Sequence, residues 1–229
     1  DCLPLKLDIL KDDDCLVDTA VTVESGSLAK LLSACVFPAG LSMVILAGSE
    51  LFTGNCLMVM ALLERRITPA QLLRNWLTVY LGNAMGGAAV AALAVYSHTA
   101  SLFGDGLARS MVSIAESKAA LGAGDAFLRG VLCNFLVCLA VWMAAASKRA
   151  EGKVIALFFP ILLFVLCGYE HCIANLYYLP AGAFAAAEYG METTLTLAGC
   201  LKNLAAVTLG NLVGGAALGV GYRFAYLKE

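Results

Sequence analysis

At 229 residues, with 61% hydrophobic and 14% charged positions and a mean hydropathy of +0.83, the chain is excluded from the soluble globular class, in which about a quarter of residues carry charge. A formal net charge of −2, with no basic patch and no Gly-rich phosphate loop, excludes nucleic acid as an expected partner. Nine cysteines occur without a Cys-x-x-Cys and mostly inside apolar runs, so they read as small buried hydrophobes; with two histidines in the chain, no metal and no cofactor is expected.

In chain order, residues 1–27 form a polar, acidic segment with no run long enough to cross a bilayer. Leu28 to Leu63 is apolar but interrupted at Glu50–Asn55, the pattern of a span broken at mid-membrane. In the loop Glu64–Pro69, Thr68 is placed to cap a helix that opens at Pro69. A span is predicted from about Trp76 to Tyr96, then a long polar connection from Ser97 to Asp125. Further spans are predicted from about Phe127 to Ala146, from Val154 to about Ala187 with a break at Glu170–Asn175, and from about Leu201 to Tyr222. Residues 28–229 therefore read as a single transmembrane domain. Lys and Arg collect in the 65–74 loop, in the 148–153 loop and on the C-terminal tail, which alternating spans place on one side. The positive-inside rule makes that side cytoplasmic and puts the acidic 188–192 loop outside.

Two repeats organise the domain. Gly-x-Glu-x-x-x-x-Asn occurs at Gly48–Asn55 and again at Gly168–Asn175, displaced by 120 residues (50 to 170). Asn75 through Gly87 is matched by Asn203 through Gly215, displaced by 128 residues (82 to 210). The halves, about 28–96 and 127–222, are expected to be inverted because an odd number of spans separates the copies. Inverted repeats with broken helices place a binding site near the bilayer midplane. A charged group there costs roughly 2.5–3.5 kcal/mol, so Glu50, Glu170 and His171 mark a candidate functional site. The symmetric Glu50 and Glu170, with Asn55 and Asn175, read as structural, the carboxylates accepting backbone N–H bonds at the breaks. The Gly-Asn-x-x-Gly-Gly pieces read as close helix packing. The repeat leaves the Phe127–Ala146 span without an earlier partner, since residues 1–26 are too charged to cross.

The pieces Ala47–Asn55, Asn75-Trp76…Gly82-Asn83, Cys133–Met143, Gly168–Asn175 and Thr208–Asn211 resemble, in order, the formate/nitrite transporter family, which includes formate, nitrite and hydrosulfide channels. The resemblance implies an all-α membrane protein with an aquaporin-like bundle of inverted repeats and two broken helices. Family members have six spans, of which the first is not evident here. It also implies a homopentamer in the plasma (inner) membrane with one pore per protomer, passing formate, hydrosulfide or nitrite. Carried over residue by residue, His171 is the central pore histidine and Thr53 the threonine facing it. Lys118 is the outer-vestibule lysine that draws anions in, and Asn134 the asparagine close to that lysine. Phe37, Leu41, Leu51 and Phe164 are the apolar constrictions.

Elementary physics is consistent with such a site. A bare anion in a narrow apolar pore faces a Born cost of order 20 kcal/mol, so it needs a compensating charge or a proton. Histidine is the side chain best placed for such a switch. The anion is expected to cross as its neutral acid or with a proton shared with His171. Two other functions compete with this reading. An intramembrane enzyme would set a Ser or Cys nucleophile against the histidine, but Cys172 is its chain neighbour and no aspartate pair lies in the spans. A water or neutral-solute channel is also compatible with two half-helices, although neither break contains Asn-Pro-Ala.

Overall fold

The computed structural model describes residues 26–226, which are helical with no strand among them. The expected polar segment, and with it the question of a first span, falls almost wholly outside the described residues.

Each break is made the same way. Helices α1 (Gly26–Val36) and α2 (Pro38–Ala47) form a single apolar column that stops at Gly48, whose φ of +72° is the left-handed conformation glycine adopts without a Cβ penalty. The chain runs extended to Leu51 and coils again in α3 (Phe52–Asn55), which continues through a 3₁₀ turn into α4 (Val59–Leu63). The second half repeats the device. Helix α8 (Ala150–Leu166) stops before Gly168, with φ +68°, and α9 (Cys172–Glu188) starts after an extended His171. The unwound residues are thus 48–51 and 167–171, somewhat earlier than the expected 50–55 and 170–175. Asn55 and Asn175 already sit in the first turn of the new helix, because the stop is set by glycine and the restart by an extended capping residue.

Three long helices, α5 (Pro69–Tyr96) and α7 (Ala123–Ala146) between the breaks and α10 (Leu197–Tyr226) after the second, are each long and apolar enough to cross a membrane. Thr68 caps α5 as expected, in a reciprocal pair of bonds with Gln71. Close packing of α10 on α7 explains part of the Gly-Asn-x-x-Gly-Gly pattern. A Cβ on Gly210 would collide with the Phe127 carbonyl, and one on Gly214 with the Val131 carbonyl. The matching Gly82 and Gly86 of α5 meet nothing within 4 Å among the described residues. Helices α5 and α10 also touch at equivalent positions, the Tyr80 and Thr208 hydroxyls lying 3.1 Å apart.

The connection expected to be a loop contains α6 (Gly106–Ala120). Ala108, Met111, Val112, Ala115 and Ala119 recur at helical spacing and are buried, several of them against α9. Gly182 of α9 lets that approach happen, since a Cβ there would strike the Ala115 methyl. Packing α6 here brings Lys118, in its last turn, to the second break.

Candidate pore site

Helix breaks leave backbone groups unpaired, and in an apolar surrounding each must find a partner. Two asparagines supply them. Asn83 Oδ1 accepts the Phe52 N–H at 3.1 Å, and its Nδ2 donates to the Glu50 carbonyl at 3.1 Å. Asn211 does the same for the other half, with Cys172 N–H at 2.8 Å and the Glu170 carbonyl at 3.0 Å, and donates also to the Gly130 carbonyl. Each side chain splints its break from across the helix pair. The glutamates do not take the expected role of accepting backbone N–H bonds. Glu50 accepts from the Asn55 and Asn75 amides, and Glu170 accepts from Asn175 at 2.7 Å and from Lys118 Nζ at 3.0 and 3.1 Å. Asn175 in turn donates to Asn203 Oδ1 at 2.7 Å, and Asn203 donates to the Lys118 carbonyl at 2.9 Å.

Sequence reasoning missed Asn75, Asn83, Asn203 and Asn211 as members of the site. The signal was present: all four lie in the second repeated block, in pairs at its offset of 128 residues (75 to 203, 83 to 211). Reading that block as helix packing alone overlooked that asparagine can donate and accept at once.

His171 and Thr53 come together as expected. They project from opposite half-helices, and Thr53 Oγ1 lies 2.9 Å from His171 Nε2, both residues buried. His171 Nδ1 accepts the Ala174 N–H at 3.1 Å, which caps α9. A neutral ring in this position therefore carries its proton on Nε2 and donates it to Thr53 Oγ1.

Phe37, Leu41, Leu51 and Phe164 also converge, in one apolar cluster with Leu157 and Ile161. Phe37 and Phe164 meet edge to face with centroids 5.3 Å apart, and the Phe164 ring lies 6.0 Å from the His171 ring. These two rings help line a cleft of about 740 Å³, whose walls also include Lys118, Glu170, His171, Lys30 and Arg129.

Two expectations about Lys118 change. The ammonium is not a bare charge, because both oxygens of Glu170 hold it and the Tyr178 ring lies under it at 5.4 Å. Nor is Asn134 its neighbour. The Asn134 amide is fully buried behind Thr53, donating to the Thr53 carbonyl at 3.2 Å and the Asn211 carbonyl at 2.7 Å. Asn134 lies one helical turn before Cys138, whose thiol bonds the same Thr53 carbonyl, so this face of α7 braces the first break. The asparagine that bonds Lys118 is Asn203.

A sequence profile of formate/nitrite transporters matches residues 15–225. The chain belongs to the formate/nitrite transporter family. Among curated relatives, the probable formate transporter of Methanothermobacter thermautotrophicus is 39% identical over 218 residues, covering 88% of this chain and 77% of the relative. The formate channel FocA of Haemophilus influenzae is 38% identical over 223 residues, covering 90% and 78%. Among solved structures, an FNT family ion channel superposes with a TM-score of 0.81 at 33% identity, covering 92% of this chain and 82% of that one. A pentameric formate channel with formate bound gives 0.78 at 32% identity, covering 90% and 86%. Members of the formate/nitrite transporter family are channels and transporters, and this chain is accordingly a multi-pass membrane protein.

Proposed function

We propose that this formate/nitrite transporter is a channel for small monovalent anions of weak acids, formate first, with hydrosulfide and nitrite also accepted. The observation that carries the reading is the Thr53–His171 pair, a polar station whose imidazole lines the cleft beside the Phe164 ring, which Phe37 meets edge to face. The formate bound in the similar pentameric channel supports the substrate class and a homopentamer with a pore in each protomer. The basic loops support a plasma-membrane orientation with those loops and the C-terminus cytoplasmic.

Of the two routes past the constriction, crossing as the neutral acid has the better support. A second proton on His171 has only Nδ1 to occupy, and there it would face the Ala174 N–H and break the cap of α9. The neutral ring instead offers an Nε2–H, and the Thr53 hydroxyl relays that bond as both acceptor and donor. The anion takes its proton from water in the outer cleft, passes the apolar ring uncharged and avoids most of the Born cost. Hydrated ions are refused by dewetting at Leu51 and Phe164.

The test is uptake into proteoliposomes of formate, nitrite and hydrosulfide between about pH 5 and 8, a range that changes the neutral-acid fraction about a thousandfold for an acid of carboxylate pKa. Flux that climbs toward acid for each substrate supports the proposal. Water flux with no acid or anion flux would replace it with a neutral-solute channel.

A further inference from the structure

The cleft needs a positive field at its mouth to gather a dilute anion, and Lys118 is poorly placed to give it. Its ammonium lies within 3.1 Å of both Glu170 oxygens, so the pair presents a dipole to a distant anion. A dipole's potential falls off much faster than that of a single charge, and it is weak beyond the first few ångströms. Two other cations line the same cleft. Lys30, near the start of the first column, is exposed and reaches over the end of α8, its Nζ 3.4 Å from where a side chain on Gly168 would begin. Arg129, on α7, is exposed, and its carbonyl receives the Glu170 N–H, which fixes its backbone against the second break.

The ion pairs among the described residues join Lys118 to Glu170, Arg149 to Glu151 and Arg223 to Glu64, so neither Lys30 nor Arg129 is matched by a carboxylate within 4 Å there. Asp125 lies one turn before Arg129 on α7 and does not line the cleft. Glu116, on the facing α6, is held by Thr193 and Thr194 at another cleft.

We propose that Lys30 and Arg129 form the anion-capture site of this channel, and that Lys118 with Glu170 is a neutral structural pair beneath it. The inference rests on the channel reading above. The substrate is a small monovalent anion, drawn in at long range by two charges that no carboxylate among the described residues approaches within 4 Å, and handed down to the His171–Thr53 station. Steering of this kind raises encounter rates about tenfold or more and is erased by salt.

The experiment measures formate uptake against concentration for wild type, Lys30→Gln, Arg129→Gln and the double variant. Each is run in about 10 mM and about 1 M impermeant salt, where the screening length is about 30 Å and about 3 Å. The double variant is expected to need about threefold or more formate for half-maximal uptake at low salt, a gap that closes at high salt. Lys30→Arg with Arg129→Lys should restore the wild-type curve, and Arg129→Glu should weaken uptake beyond Arg129→Gln. A double variant that matches wild type at low salt overturns the proposal. So does a defect that persists at high salt or is not rescued by the charge-keeping pair, since that is loss of packing. Absence of formate uptake by wild type would instead sink the channel reading itself.

Discussion

Leu51 and His171 hold the same place in the two halves of the molecule. Each is the extended residue before the first turn of a half-helix, with φ, ψ of −125°, 119° and −117°, 115°. The backbone device is duplicated and the side chains are not. One half offers an isobutyl group to the constriction and the other an imidazole. Thr53 and Ile173 differ in the same sense, so the polar station is built from one polar residue of each half against an apolar counterpart.

That asymmetry makes the histidine testable by pH. If the permeant species is protonated in the cleft, His171→Asn should lower formate flux while keeping its rise toward acid. A variant whose flux no longer depends on pH would place the proton on His171. Thr53→Val removes the bond to Nε2 seen among the described residues and leaves a buried donor unmet, at a cost of about 1–3 kcal/mol. It should lower both the melting temperature in detergent and the flux.

Lys118 and Glu170 should behave as a unit. Lys118→Met strands a carboxylate that is 7% exposed, and breaking such a pair typically costs about 3–5 kcal/mol. Adding Glu170→Gln should return most of that stability, because the amide needs no counter-charge. A double variant as unstable as the sum of the singles would show that the two residues are not coupled, as read from a double-mutant cycle on thermal unfolding.

Gly214→Ala and Gly86→Ala make a matched pair. The first drives a methyl into the Val131 carbonyl and should cost about 1–3 kcal/mol by forcing α10 away from α7. The second meets nothing within 4 Å among the described residues. Similar melting temperatures for the two variants would contradict the packing described for α10.

Glu116 supplies a pH effect outside the spans. Its carboxylate accepts the Thr194 N–H at 2.6 Å and the Thr193 hydroxyl at 2.8 Å, and these bonds hold its pKa below the ordinary glutamate value. A depressed folded pKa means the latch is at full strength above the unfolded value of about 4.3 and is lost as pH falls through the folded one. The protection factor of the Thr194 amide, its exchange rate set against that of an unstructured peptide at the same pH, should therefore be high at neutral pH and drop in acid as Glu116 is protonated. In Glu116→Gln it should be lower at neutral pH and lack the acid step.

The broken columns and the importance of His171 are legible in the sequence because the motif repeats and an ionisable side chain in hydrocarbon is conspicuous. The pairing of His171 with Thr53, by contrast, follows only from the resemblance to formate/nitrite transporters. Less visible was the division of labour around the breaks. Asparagine in an apolar helix gives no periodic signal, so nothing in the sequence shows that Asn83 and Asn211 splint the backbone or that Asn134 braces Thr53. Helix α6 is hard to see in the sequence because its buried stripe is mostly alanine, which carries little hydropathy, and the pairing of Lys118 is hidden because its partner is 52 residues away.

The Tyr80–Thr208 contact constrains what this architecture can tolerate along the seam between its halves. These two positions correspond under the repeat, 128 residues apart (80 to 208), and they bond to each other. Where a position meets its own counterpart, two groups of one chemical kind can serve only if that kind pairs with itself. Carboxylates and ammonium groups repel their like, whereas a hydroxyl can give a proton to another hydroxyl and receive one. The two halves differ at the constriction, apolar in one and imidazole in the other, yet at this junction both carry an OH.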